Sequence, residues 1–203
     1  DLAALSALLF ISVPQLKKII FNYQKRAHEE GKYSASKEMG VNRIPTSAEE
    51  NKLMNIEADQ IAETMAGTIN QQAKDTITQG VLKGVAVAGI ISSVVSRTND
   101  KASQLITNAT SSVVAEGISK GRRLVFEDNI TKIKGYERSE VLDDVTCGVC
   151  MSLDGRIVTA DDPMAQLDIV HTNCRWVWVP IYQEEQIEED DIGIPASITD
   201  QFD

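Results

Sequence analysis

All three cysteines of the chain and one of its two histidines fall in one short stretch, as Cys147-x-x-Cys150 and His171-x-x-Cys174. No other feature limits the possible folds so strongly. A C-x-x-C pair on a tight turn aims two thiolates at one ion. A second pair with the same gap closes a tetrahedron of three sulfurs and one imidazole. Gly148 suits the first turn, where the backbone has to curl with its amides facing the sulfurs. Four protein ligands leave no open position for water, so Cys147, Cys150, His171 and Cys174 read as a structural Zn2+ site. Residues 136–182 hold few large apolar side chains, too few for a segment below about 40–50 residues to fold alone. Structural zinc contributes on the order of 10–16 kcal/mol of apparent binding energy in small modules, and the ion is expected to do what that core cannot.

Two other readings of the spacing stay open: thiols kept reduced in a core, and a disulfide within Cys147–Cys150. The odd cysteine count argues against a disulfide framework and for a reduced, intracellular chain. A thioredoxin-type redox role lacks the βαβ context. Enzymatic readings of the same residue types are weak. There is no H-E-x-x-H. His28-Glu29-Glu30 matches the H-x-E of nucleic-acid deaminases, but it lies far from Cys147, and Thr146 stands where their motif has proline. His28 reads instead as a solvated helix residue, and Asp161-Asp162 before Pro163 reads as a turn. The chain is expected not to be an enzyme.

Upstream, the pattern is helical. Residues 1–35 read as a helix pair, or one helix broken at Pro14, with QLKKIIFNYQKRAHEE stopping at Gly31. A loop over 31–47 follows. Ser47 with Glu50 forms a capping-box signature. Beyond it Met65, Ile69, Ala73 and Ile77 recur at fours beside Ala62 and Ala66, giving one apolar stripe. Gly80 and Gly84 mark a turn. The twelve uncharged residues from Gly84 to Val95 predict a helix buried on most faces; a Gly84/Gly89 contact with a second copy is the sharper alternative. A further helix is expected from a cap at Asn99 to Phe126, where Lys120, Arg122 and Arg123 suit the negative end of the helix dipole. Beyond 130, β-type stretches appear at Arg156–Thr159 and Arg175–Ile181. Trp176 and Trp178 point to one face, as a small core or an anchor for a partner. The last segment, Glu184–Asp191, is almost purely acidic and reads as solvated.

Composition narrows the class. Hydrophobic residues make up 42% but aromatics only 5%, which favours alanine-rich and aliphatic helices over a β-sandwich. A net charge of −10 argues against a general nucleic-acid binder. No run reaches the roughly 18 apolar residues of a membrane span; Leu2–Val13 is closed by Pro14 and lacks the features of a signal peptide. Asp1 opens the sequence in place of Met, as in a processed product or part of a longer chain.

The C-terminal stretch resembles the signature of the phage Mu F-like minor head morphogenesis proteins. The matching residues are Val141-Leu142-Asp143, Thr146-Cys147, Cys150, Leu153-Asp154-Gly155, His171 and Asn173-Cys174-Arg175. Upstream, Ile77–Gly84 and Ala115–Arg123 resemble the family more loosely, and the likeness covers roughly residues 45 to 181. Two positions depart: Thr172 stands where the family has proline, and Trp176 replaces a last cysteine, which raises the weight on His171. The resemblance implies a non-enzymatic, low-copy virion protein of the phage head or portal vertex. It would be assembled in the host bacterial cytoplasm and bound to portal or capsid protein, with packaged DNA as a further partner and an effect on DNA packaging or ejection.

The expected fold is mainly α: an elongated helical region followed by a small β-containing, zinc-bound C-terminal module. The expected divisions are a helical segment and loop over 1–46, a helical domain over 47–135, a Cys3His zinc module over 136–182, and an acidic tail over 183–203. The rival reading is a zinc-knuckle nucleic-acid binder with Lys120, Arg122, Arg123, Lys132 and Lys134 as its footprint.

Overall fold

A serine caps the first of the described helices. Ser12 accepts the amide of Leu16 at its carbonyl (3.0 Å) and that of Gln15 at its hydroxyl (3.4 Å), and helix α1 (Val13–Glu38) follows. Pro14 therefore sits in the first turn, where its missing N–H costs no helical hydrogen bond, and it opens the helix. The computed structural model describes residues 12–144, 146–166 and 175–184. The apolar N-terminal segment, His171, Cys174 and the acidic run beyond Glu184 lie outside them.

Helix α1 passes through Gly31, contrary to the expected stop. A Cβ there would collide with the backbone carbonyl of Ile118, so this glycine serves a close helix crossing. The loop is correspondingly shorter, from Met39 to Ser47. Helix α2 (Ala48–Leu82) starts at the expected capping box, with the Ser47 hydroxyl accepting from the Glu50 amide and the Glu50 carboxylate accepting from the Ser47 amide. Its buried positions include Ala62, Met65, Ala66, Ile69 and Ala73, the stripe read from the sequence. The chain reverses at Lys83–Gly84, where Gly84 has φ +63°. Helix α3 (Val87–Asp128) then runs without a break, so Asn99 lies inside a helix and caps nothing.

Two compact units result. One is made of Asp1–Tyr23 and Ser47–Thr110, the other of Gln24–Thr46 and Ser111–Asp203, each over its described residues. In the first, Leu16 and Ile20 of α1, the α2 stripe, and Ile90 and Val94 of α3 are buried. The uncharged run after Gly84 does not form a helix buried on most faces. Ile90 and Val94 are covered, while Val87, Ile91 and Val95 are exposed.

The second unit carries a three-stranded antiparallel sheet in the order β2-β1-β3. Strand β1 (Ile133–Glu140) is central, β2 is Ile157–Thr159, and β3 is Trp176–Tyr182. The register pairs Tyr136 with Val158 on one side and Arg138 with Trp178 on the other. A short helix α4 (Gly148–Leu153) lies between β1 and β2. The expected boundary between 135 and 136 falls inside β1. The core around the sheet also includes Ala35 of α1 and Val125 and Phe126 of α3, so helical segments from outside 136–182 supply apolar cover to that segment.

The outer edge of β3 is covered rather than left open. Ser119 donates to the Trp176 carbonyl (3.4 Å), and Arg122 donates from Nε and Nη2 to the Trp178 carbonyl (3.2 and 3.1 Å). Unpaired strand edges invite association with other chains, and α3 removes this one. Arg122 also reaches Glu38 (2.6 Å) and Ser34 (3.3 Å). Because α3 continues to Asp128 and has no basic residue in its last turn, the helix dipole is not what holds Lys120, Arg122 and Arg123. They are held by specific partners. His28, expected to be solvated, is 4% exposed, with its carbonyl against Gly121 of α3.

Candidate metal centre

Strand β1 ends at Glu140, and the chain then folds back on itself through a small set of polar contacts. The Val141 amide donates to the Arg175 carbonyl (2.8 Å). The Arg175 guanidinium meets Asp143 Oδ1 at 2.6 Å. That hydrogen bond raises the Arg175 pKa against the smaller opposing cost of desolvation, and the charge of Asp143 adds to the rise. The Asp143 amide donates to the Thr146 hydroxyl (2.8 Å), the Thr146 amide donates to the Asp143 carbonyl (3.0 Å), and the hydroxyl lies 2.8 Å from the Val141 carbonyl.

Cys147 follows directly and caps α4. Its Sγ accepts from the Cys150 amide at 3.4 Å, and its carbonyl accepts from Met151 (3.0 Å). N–H···S contacts of this kind stabilise a thiolate by giving its charge a donor. Cys147 is half-buried, while Cys150 is buried among Val125, Phe126, Trp176 and Trp178. The far end of α4 is fixed as well. Asp154 Oδ1 accepts from the Glu140 amide (2.8 Å), and Gly155, at φ +75°, donates to the Arg138 carbonyl (2.8 Å). The expected need for glycine at 148 is not met: a Cβ there has nothing within 4 Å.

Of the four expected ligands, Cys147 and Cys150 stand on one turn. His171 and Cys174 lie outside the described residues. Among the described residues no group of three or more His, Cys, Asp or Glu side chains is gathered for a metal ion. The two thiols are soft donors of the type zinc takes, and the N–H···S contact fits that role.

Sequence reading missed the polar pair beside this turn. Arg138 is 0% exposed, and its Nε meets Glu140 Oε1 at 2.6 Å, both side chains being buried. Among the described residues its Nη1 and Nη2 have no hydrogen-bond partner, but the guanidinium carbon lies 4.2 Å from the centre of the Trp176 ring and 5.9 Å from that of Trp178. The ring faces supply the attraction that hydrogen bonds do not. The two tryptophans meet edge-on at 5.3 Å and belong to the core. A cavity of about 310 Å3 lies nearby, lined by Phe126, Tyr136, Trp178, Ala165 and the Arg123–Glu127 pair. Burial, reinforced by Glu127, pushes the Tyr136 phenol above its ordinary pKa, with Arg123 opposing.

Comparison with protein-family models, with curated proteins and with solved structures finds no match. Among the described residues, no helix is long and apolar enough to cross a membrane.

Proposed function

We propose that this chain is a structural assembly protein of the Mu F-like minor head morphogenesis type. In this reading it sits at the phage head–portal region, binds portal or capsid protein, and has no catalytic activity of its own. Its C-terminal segment is closed by one structural zinc held by Cys147, Cys150, His171 and Cys174. The observation that carries the reading is the Arg175 clamp. Cys174 is covalently bonded to Arg175, whose carbonyl and guanidinium are both tied to 141–143, and Asp143 is tied in turn to Thr146 beside Cys147. The clamp supports convergence of the two halves of the motif.

The zinc would bind the thiolates and neutralise their charge. Metal analysis of the purified chain tests this, with one zinc per chain expected and a clear loss in Cys147→Ala and His171→Ala. Zinc-free protein that is fully folded would overturn the metal site. Absence of the protein from the head and neck of purified virions would overturn the assembly role.

The nucleic-acid reading gains little support. Lys120 pairs with Glu116 (2.6 Å), Arg123 with Glu127 (3.8 Å), and Arg122 is 7% exposed and bound to Glu38. These three cations of the expected footprint are thus already engaged within the protein. A salt titration of DNA binding separates the readings, since phosphate contacts give a steep loss of affinity with salt.

A further inference from the structure

The turn between α2 and α3 carries an apolar tip. All eight residues 81–88 are exposed, and six of them are valine, leucine or alanine. Leu82 is 75% exposed and Val87 66%. Ile91 and Val95 follow Val87 at intervals of four along α3 and are exposed as well, which extends the strip by about 12 Å on one helix face. All of these residues belong to a single compact unit. The charge around the tip is of one sign. Between Asp75 and Asp100 the sequence holds no carboxylate, and its only charges are Lys83 and Arg97, in a chain whose net charge is −10. Both cations line one cavity of about 320 Å3, together with the hydrogen-bonding side chains of Gln79 and Ser93. A second cavity of about 360 Å3 also has two arginines, Arg26 and Arg43, but Glu29 and Glu30 share its wall. The cavity at the turn has no such internal counter-charge.

We infer that this tip docks on a lipid bilayer bearing anionic headgroups. Its aliphatic side chains enter the boundary between headgroups and acyl chains, and Lys83 and Arg97 meet lipid phosphates. Exposure and charge together select this occupant. A protein partner covers one face of an element, whereas here every residue of an eight-residue run is open, which suits a fluid medium that closes round it. A second copy pairing through the same patch would set Lys83 and Arg97 against their own kind. Interfacial elements combine apolar burial with attraction to anionic lipids and reach roughly 5–10 Å below the surface. Ile91 lies about 6 Å along the helix from Val87, within that depth of the tip. The aliphatic stem of Lys83 lies along apolar surface while its ammonium stays at headgroup level. Among the described residues no helix is long and apolar enough to cross a membrane, so the contact is made with one leaflet. This inference stands independently of the phage reading.

Flotation of the full-length protein with vesicles on a density gradient tests the inference. The protein should float with vesicles of phosphatidylcholine and phosphatidylserine in equal parts, and far less with phosphatidylcholine alone. The double variant Lys83→Gln/Arg97→Gln should weaken binding about 25-fold, at roughly fivefold per cation near an anionic surface. Leu82→Ser/Val87→Ser keeps both cations and should weaken it several-fold. All four side chains are exposed, so both variants keep the fold. Millimolar inorganic phosphate at matched ionic strength should leave the protein on the vesicles. No binding to the mixed vesicles overturns the inference and leaves the surface to a protein partner. Equal binding to both vesicle types overturns it as well. So does binding that either double variant leaves unchanged, because another segment then holds the membrane. Full release by inorganic phosphate would mark a site for a free anion and overturn the bilayer as its ligand.

Discussion

The two units solve the packing problem with different side chains. The unit containing α2 buries alanines, methionines and a few branched aliphatics; Ala58 and Ala62 are fully covered, and among its described residues no aromatic side chain is buried. The unit containing the sheet buries Phe126, Tyr136, Trp176 and Trp178 and, among them, a charged pair. Small side chains bring helices together through contacts repeated along their length. Large rings and a buried guanidinium depend on a few partners distant in sequence. The first arrangement spreads its stability over many small terms, whereas the second concentrates it.

Substitutions should therefore sort the units by size of effect. Arg138→Met strands the Glu140 carboxylate inside the protein, and a loss of about 3–5 kcal/mol is expected in urea unfolding. The double variant Arg138→Met/Glu140→Leu should recover most of that. A single-variant loss below about 1 kcal/mol would mean that the sheet unit does not concentrate its stability there. In the helical unit, Ala62→Leu inserts carbon where none fits, for an expected cost of about 1–3 kcal/mol in the same assay. A neutral result would show that helix packing there is looser than the burial implies. Ser47→Ala removes half of the capping box and should cost about 1 kcal/mol; an unchanged melting curve would show that the cap contributes nothing.

A smaller effect belongs to Tyr136. Its pKa is raised in the fold, so the stability it contributes is fully present below the ordinary phenol value of about 10 and is lost as pH climbs through the raised value. Thermal melts at alkaline pH should show that loss in the parent chain and not in Tyr136→Phe. At the far end of the scale, Leu82→Ser should change stability by no more than about 0.5 kcal/mol, since the side chain already faces water. A larger loss would mean that the turn is covered by something even in the isolated protein.

The parts of this fold that could be read from sequence are those whose causes are local. Ser47 and Glu50 lie three residues apart and form the expected cap. Ala62 to Ala73 repeat with the helix period, and the tryptophan-bearing stretch reads as a strand because its residues favour one. Strand β1 escaped notice because two of its inward-facing positions are Arg138 and Glu140, which break the apolar alternation a strand normally displays. Gly31 read as a stop because the reason for it is the backbone of Ile118, far along the chain. At the candidate metal centre, Cys147-x-x-Cys150 was legible from spacing as a pair on one turn. The Arg175–Asp143–Thr146 ties beside it were not, since each joins residues whose closeness only the fold creates.

The sheet-bearing unit is assembled from two stretches of chain, Gln24–Thr46 and everything after Thr110, with the other unit's α2 and much of α3 between them in sequence. During synthesis at about 5–20 residues per second, the segment around Gly31 leaves the ribosome long before β3 exists. It has to wait on the order of ten seconds for the strand and helix it will touch. The intervening helices can pair in that interval. Of the described helices α1 is made first, yet it meets the last of its neighbours only once β3 has emerged.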